Sequence, residues 1–239
     1  MSDFPSQKYK FKEKGAPFIQ VKVLSKTYGM NQKQVEALKG ISFDLNQGEL
    51  LAIVGASGAG KSTLLHILGT LDHPTSGELF YSGVNLFSLS EVELAEFRNY
   101  KIGFIFQFHY LLPEFTALEN TMMPALVRGY KKDVALEEAE KILVAVGLKD
   151  RLTHKQGELS GGEQQRVAVA RALILKPEII LADEPTGNLD SRTGEAVFDL
   201  LLSLNQQLNI TLLVVTHNES IASKMSRRIV LIDGQVATQ

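Results

Sequence analysis

The chain has 239 residues, 44% of them hydrophobic, with 25 Lys and Arg against 27 Asp and Glu, a formal net charge of -2. That supplies a core for one domain carrying an inserted lobe, without the basic balance typical of nucleic-acid binders, so no nucleic-acid partner is expected. Cysteine is absent, which suits a reducing compartment; no segment reaches the ~20 apolar residues of a membrane helix, and the opening MSDFPSQKYKFKEKG lacks the apolar run of a signal peptide.

Lys8 to Lys14 alternates lysine with aromatic residues or glutamate, which reads as a solvated tail through residue 17, with contact to anionic lipid as the alternative. Residues 18–239 then read as a single domain. Phe18 to Tyr28 and Ile41 to Leu45 alternate apolar and polar residues, as half-buried antiparallel strands do. Glu49 to Val54, Ile179 to Ala182 and Thr211 to Thr216 are instead nearly continuous apolar runs, the pattern of parallel strands covered on both faces. A helix is expected after Ser62, in TLLHILGTL. Further helical signals concentrate in a lobe at about 88–172, where Ser90/Glu93, Thr116/Glu119 and Ser160/Glu163 each have capping-box spacing. Ala139, Ile142, Leu143 and Val146 form one helix stripe that Gly147 ends. Near the C-terminus, Asp233-Gly234 between apolar runs predicts a hairpin. The expected class is α/β: a P-loop core with a mainly parallel sheet, an N-terminal antiparallel β subdomain and an inserted α-helical subdomain.

Between the run ELLAIV and the helix TLLHILGTL lies Gly55-Ala56-Ser57-Gly58-Ala59-Gly60-Lys61-Ser62, matching GxxxxGK[ST], with Thr63 following. Glycines let successive backbone N–H groups curl around phosphate, and the helix N-terminus adds its dipole. Lys61 then meets the β- and γ-phosphates, while the Ser62 hydroxyl holds Mg²⁺. Asp183 and Glu184 follow a buried strand, where α/β ligands sit; beside a P-loop, Asp183 fits a Mg²⁺ partner and Glu184 a base for the attacking water. His217 ends another such strand. Gln107 ends Ile102 to Phe106, from where its amide can reach Mg²⁺ or the water. Tyr28 is placed either to stack on adenine or to pack, and Asp190 is either a turn residue or part of the site. Gly161 and Gly162 are costly in a helix, at roughly 1 kcal/mol each against alanine, which implies that something approaches their backbone closely.

In order along the chain, Tyr28, GASGAGKS, Gln107, LSGGE, ILADE, NLD and His217 resemble the nucleotide-binding subunit of ATP-binding-cassette transporters, from Phe18 onward. The resemblance implies an Mg²⁺-dependent ATPase in which Ser160, Gly161 and Gly162 contact ATP held on the P-loop of a second copy. Two copies then sandwich two nucleotides in a closed twofold dimer. Glu163 stands where the commonest pattern has Gln; a carboxylate there is expected to turn back onto Ser160 as a cap rather than face phosphate. Within the family, the segments LGTLDHPTSGE, Gln107 to Asn120, ELSGGEQQRVAVARAL and ADEPTGNLD look most like the ATPase of bacterial lipoprotein-releasing systems, with macrolide-export and cell-division relatives close by. That likeness implies a peripheral protein on the cytoplasmic face of the inner membrane. Its partners would be integral membrane subunits, and it would meet lipoprotein cargo only indirectly; the apolar segment after Gln107 reads either as packing within its own lobe or as a docking groove for a membrane subunit.

Overall fold

The computed structural model describes residues 17–29 and 34–237; residues 1–16 of the expected tail lie outside the described residues. The strands β1 (Ile19–Tyr28), β2 (Val35–Leu45), β4 (Ser76–Tyr81) and β5 (Val84–Asn85) form an antiparallel sheet in the order β2-β1-β4-β5. A second sheet has the order β10-β9-β3-β8-β7-β6, built from β3 (Leu50–Val54), β6 (Ile102–Phe106), β7 (Ile179–Asp183), β8 (Thr211–Thr216), β9 (Arg227–Ile232) and β10 (Gln235–Val236). Its strands run parallel except β10, which turns back on β9. At that turn Asp233 and Gly234 have φ of 45° and 79°, the paired positive values a two-residue hairpin requires.

The helices are α1 (Lys61–Leu68), α2 (Glu91–Lys101), α3 (Ala117–Val127), α4 (Lys132–Ala145), α5 (Gly161–Leu173), α6 (Ser191–Leu208) and α7 (Glu219–Ser223). The continuous apolar runs became strands between two cores. In β3, Leu51 and Ile53 pack with α1 and the antiparallel sheet. Ala52 and Val54 enter the opposite core with α5 and α6, as the two-residue period of a strand dictates. Each fully buried leucine or isoleucine contributes roughly 1.5–3 kcal/mol, so both faces anchor the strand that delivers the P-loop. On α6, Val197, Phe198, Leu201 and Leu204 are buried at helical spacing.

The Ser90/Glu93, Thr116/Glu119 and Ser160/Glu163 pairs all form reciprocal caps. The expected helical segment at about 88–172 includes β6, which pairs with β7 as an edge strand of the parallel sheet. What stands off the sheet is α3 and α4, joined by a small core of Met122, Ala125, Ala135, Ala139 and Ile174. Gly147, just past α4, has φ 80°, the left-handed residue that closes a helix. β4 carried no clear sequence signal; Leu79 and Tyr81 are its buried residues, and the buried Tyr81 hydroxyl donates to the Leu68 carbonyl at 2.9 Å. That bond ties the antiparallel sheet to the end of α1.

Candidate active site

The loop 55–60 leaves the buried end of β3 and is gripped on two sides. A Cβ on Gly55 would lie 2.2 Å from the Leu231 carbonyl oxygen of β9, and one on Gly60 2.3 Å from the Ala37 oxygen of β2. No side chain fits at either place, since such contacts are far inside van der Waals distance. Gly58, with φ 80°, would meet nothing within 4 Å, so its face is open to the cleft. The Gly234 N–H donates to the Ala59 carbonyl and the Lys39 N–H to Gly234, bracing the loop between β2 and the terminal hairpin. Gly60 starts α1 without a side-chain cap and with no acidic residue in the first turn, which leaves N–H groups and the positive end of the dipole for an anion. Buried Lys61 directs its Nζ to the Gly55 and Ala56 carbonyls, both at 2.9 Å.

The cleft in front of this loop has a volume of about 920 Å³, and its walls include Tyr28, Ser57, Ser62, Thr63, Gln107, Asp183, Glu184 and His217. Asp183 ends β7; burial pushes its carboxyl pKa up, while the Ser62 hydroxyl and the positive charge of Lys61 favour ionisation. Glu184 has φ 45°, a left-handed conformation that costs free energy and is concentrated at functional sites. Its N–H donates to Val215, and its carboxylate turns to the end of β8. Oε2 accepts from the Thr216 hydroxyl at 3.1 Å, and Oε1 accepts the His217 N–H at 3.0 Å and lies 2.6 Å from His217 Nδ1. Gln107 donates its amide to Asn188 Oδ1 at 3.2 Å, and Asn188 returns a bond to the Gln107 carbonyl. The ends of β7 and β8 are thus cross-linked beside the P-loop, and the end of β6 is tied to the loop that follows β7.

Ser160, Gly161 and Gly162 open α5 and are not on the walls of that cleft. Ser160 and Gly161 are exposed, whereas Gly162 is buried, and a Cβ there would lie 2.4 Å from Thr193 Cγ2 of α6. Close packing within the chain therefore explains one of the two glycines. Gly162→Ala is expected to destabilise the fold by about 1–3 kcal/mol despite alanine's helix preference, and Thr193→Ser, which removes the obstructing methyl, is expected to recover most of that in thermal unfolding. Asp190 caps α6 through the Thr193 N–H at 3.1 Å and lines a smaller cavity whose walls also include Glu184 and His217.

Glu163 Oε2 accepts from the Ser160 N–H and hydroxyl, each at 2.8 Å, and Oε1 accepts from Arg151 Nε at 2.8 Å. The Ser160 backbone bond, then its hydroxyl, then Arg151 hold the Glu163 pKa down to about 2. Because the folded value lies below the ordinary one near 4.5, the cap's contribution is complete above that pH and lost as pH falls toward 2. In an NMR titration, Arg151→Ala should raise the Glu163 pKa while leaving it below 4.5, since both Ser160 donors remain. Glu163→Gln, which can still cap, should leave ATP-driven dimerisation nearly unchanged; a large loss would show that the carboxylate does more than cap.

With this geometry in place, comparison with known proteins is decisive: residues 38–187 match the model of the family described as ABC transporter. The chain belongs to the ABC transporter family. Among curated ABC relatives, "Lipoprotein-releasing system ATP-binding protein LolD" of Syntrophus aciditrophicus is 60% identical, covering 92% of this chain and 99% of that protein. Proteins of the same name from Geobacter metallireducens and Myxococcus xanthus are 56% and 53% identical, over 91% and 92% of this chain and 97% and 98% of theirs. A solved dimer of the ATP-binding cassette MJ0796, in a post-hydrolysis state bound to ADP and Pi, superposes with a TM-score of 0.84 at 42% identity, covering 92% of this chain and 97% of that one. A second dimeric structure of that cassette, described as a bacterial ABC transporter cassette, gives a TM-score of 0.84 at 43% identity over the same shares.

For an ABC cassette the site also contains residues that carried no motif. Val35, Glu36, Ala37 and Lys39 of β2 and the Asp233-Gly234 turn line the cleft; the hairpin was readable locally, but its place against the P-loop comes only from folding. The donors suit Mg²⁺. The Ser62 hydroxyl bonds Asp183, and Gln107 shares the cleft with both, while no cluster of three His, Cys, Asp or Glu able to hold a metal occurs among the described residues. A sparse oxygen set fits an ion that keeps several waters and takes its remaining ligands from phosphate.

Proposed function

We propose that this chain is the ATPase subunit of an ABC transporter that releases lipoproteins from the inner membrane, acting as a head-to-tail dimer on the cytoplasmic face beneath integral membrane subunits. The observation that carries the finer reading is near end-to-end identity of 53–60% with relatives named for lipoprotein release. The task is physically suited to ATP, because each buried CH₂ of an acyl anchor contributes ~0.8 kcal/mol to membrane retention. Among the described residues no helix is long and apolar enough to cross a membrane, so the span belongs to other chains in this reading.

The P-loop N–H groups and Lys61 hold the triphosphate, and Tyr28 holds the adenine. Ser62, Asp183 and Gln107 would hold Mg²⁺, which would supply positive charge against the charge that develops on the phosphates. Glu184 accepts the proton of the attacking water. His217, whose ring nitrogen lies 2.6 Å from Glu184, orients that carboxylate and faces the γ-phosphate. The exposed turn at Ser160 and Gly161 completes the site of the opposite copy, with the backbone of Gly162 and nearby Asp190 at the same interface.

The segment after Gln107 gives the membrane subunits a place to act. Phe108, Tyr110 and Leu112 are exposed while Leu111 is buried, and Arg171 of α5 holds the His109 and Tyr110 carbonyls at 2.7 Å. A groove of about 460 Å³, lined partly by Phe104, Phe106, Pro124, Val127 and Arg171, runs beside it. Affinity purification of the chain from its native membranes tests the reading. An integral partner with a large periplasmic domain, and ATP-dependent release of an acylated protein from vesicles holding that complex, are expected. A partner complex that leaves acylated proteins in place while exporting another substrate, or transporting none, would overturn it.

A further inference from the structure

Tyr28 ends β1, and a strand-end tyrosine has no intrinsic reason to hold one ring orientation. Here its hydroxyl donates to Asp72 Oδ2 at 2.7 Å and also bonds the Thr63 side chain. Asp72 is itself fixed: Oδ1 accepts from Lys26 Nζ at 2.6 Å and from the His73 N–H at 2.7 Å. Lys26 Nζ donates further to the His73 carbonyl at 2.6 Å and sits 4.8 Å from the centre of the Tyr28 ring. Tyr28 and Thr63 line the nucleotide cleft, whereas Asp72 does not, so Asp72 touches the tyrosine without touching the cleft.

Thr63 lies in the first turn of α1, and Asp72 lies in the loop just beyond its end. The tyrosine hydroxyl is therefore held by the first turn of the helix that begins in the P-loop and by the loop that follows that helix. We infer that Asp72 is a positioning residue for nucleotide binding: through the Tyr28 hydroxyl it holds the ring in register with the phosphate cradle, so that base and triphosphate are engaged together. This rests on the reading of Tyr28 as the adenine platform. The advantage is preorganisation, because a ring already fixed loses less freedom when the base arrives.

The test compares two probes in EDTA, where nothing is hydrolysed: ATP, and tripolyphosphate, which lacks the nucleoside. Asp72→Ala should weaken ATP binding about 5-fold, the net scale of one typical hydrogen bond, and leave tripolyphosphate binding unchanged. Tyr28→Phe should show the same selective loss, and adding Asp72→Ala to it should cost nothing further, because the two changes remove one interaction. Asp72→Asn, whose amide oxygen still accepts from the phenol, should restore most of the ATP affinity; it also serves if the alanine variant folds poorly. Equal weakening of both probes, an unchanged ATP affinity in Asp72→Ala, or full additivity with Tyr28→Phe would overturn the inference. Tyr28→Ala separates the two levels. If it too leaves the preference for ATP over tripolyphosphate unchanged, the platform reading fails and takes the inference with it; if it lowers that preference while Asp72→Ala does not, only the inference fails.

Discussion

Glu184→Gln is expected to bind ATP with near-normal affinity and to hydrolyse it about 10²–10⁴-fold more slowly, the range general bases supply. The reason is local. Glu184 sits at the end of β7 with its backbone at φ 45° and its carboxylate held by Thr216 and His217. A Gln amide oxygen can still accept from the Thr216 hydroxyl, so the site keeps its shape and loses only a group able to take a proton. Binding and dimer closure should survive while turnover does not, so ATP should trap a dimer visible by size-exclusion chromatography. Such a selective loss of kcat marks an interaction made in the transition state; ordinary steady-state turnover by this variant would remove Glu184 from that role.

Lys61→Ala should act earlier, on binding itself. A buried ammonium whose partners in this structure are the Gly55 and Ala56 carbonyls can turn toward phosphate, where charge-assisted bonds are stronger than those to neutral carbonyls. Two such bonds at roughly 1.5–3 kcal/mol each set an ATP affinity loss of about 10²- to 10⁴-fold. Stability should change far less, because removing the cation also removes its desolvation cost. Calorimetric titration with ATP beside a thermal melt checks both halves; wild-type ATP affinity, or a collapse of the fold, would contradict the argument.

Local patterns were legible wherever one physical cause decides them. The run TLLVVT has to be covered on both faces and became β8, buried along its whole length. Three hydroxyl-to-glutamate spacings became reciprocal caps because each needs only its own first turn. β4 was hidden because SGELFY opens with small and exposed residues and shows little more than the buried pair Leu79 and Tyr81. The brace around the P-loop was hidden for another reason: Ala37, Leu231 and Gly234 meet it from distant parts of the chain through backbone atoms, which leave no residue-type pattern. The glycine pair in LSGGE shows the limit most clearly. The cost of both glycines points to a close approach, yet at Gly162 the approaching group is Thr193 of the same chain; Ser160 and Gly161 remain the exposed part of the turn.

That exposed turn carries the central claim, that each ATP is hydrolysed between one copy's P-loop and the other copy's turn at Ser160 and Gly161. It is tested most directly by mixed dimers of differently tagged chains, one bearing Lys61→Ala and the other Ser160→Arg. When the lesions lie on opposite chains, one composite site keeps an intact P-loop and an intact turn, and the dimer should retain about half of the parent ATPase rate if the sites act independently. When both lesions lie on one chain and the other is unaltered, each composite site carries a lesion, and activity should fall to background. The opposite ranking, with the doubly altered chain leaving its unaltered partner active, would place each complete site within a single chain.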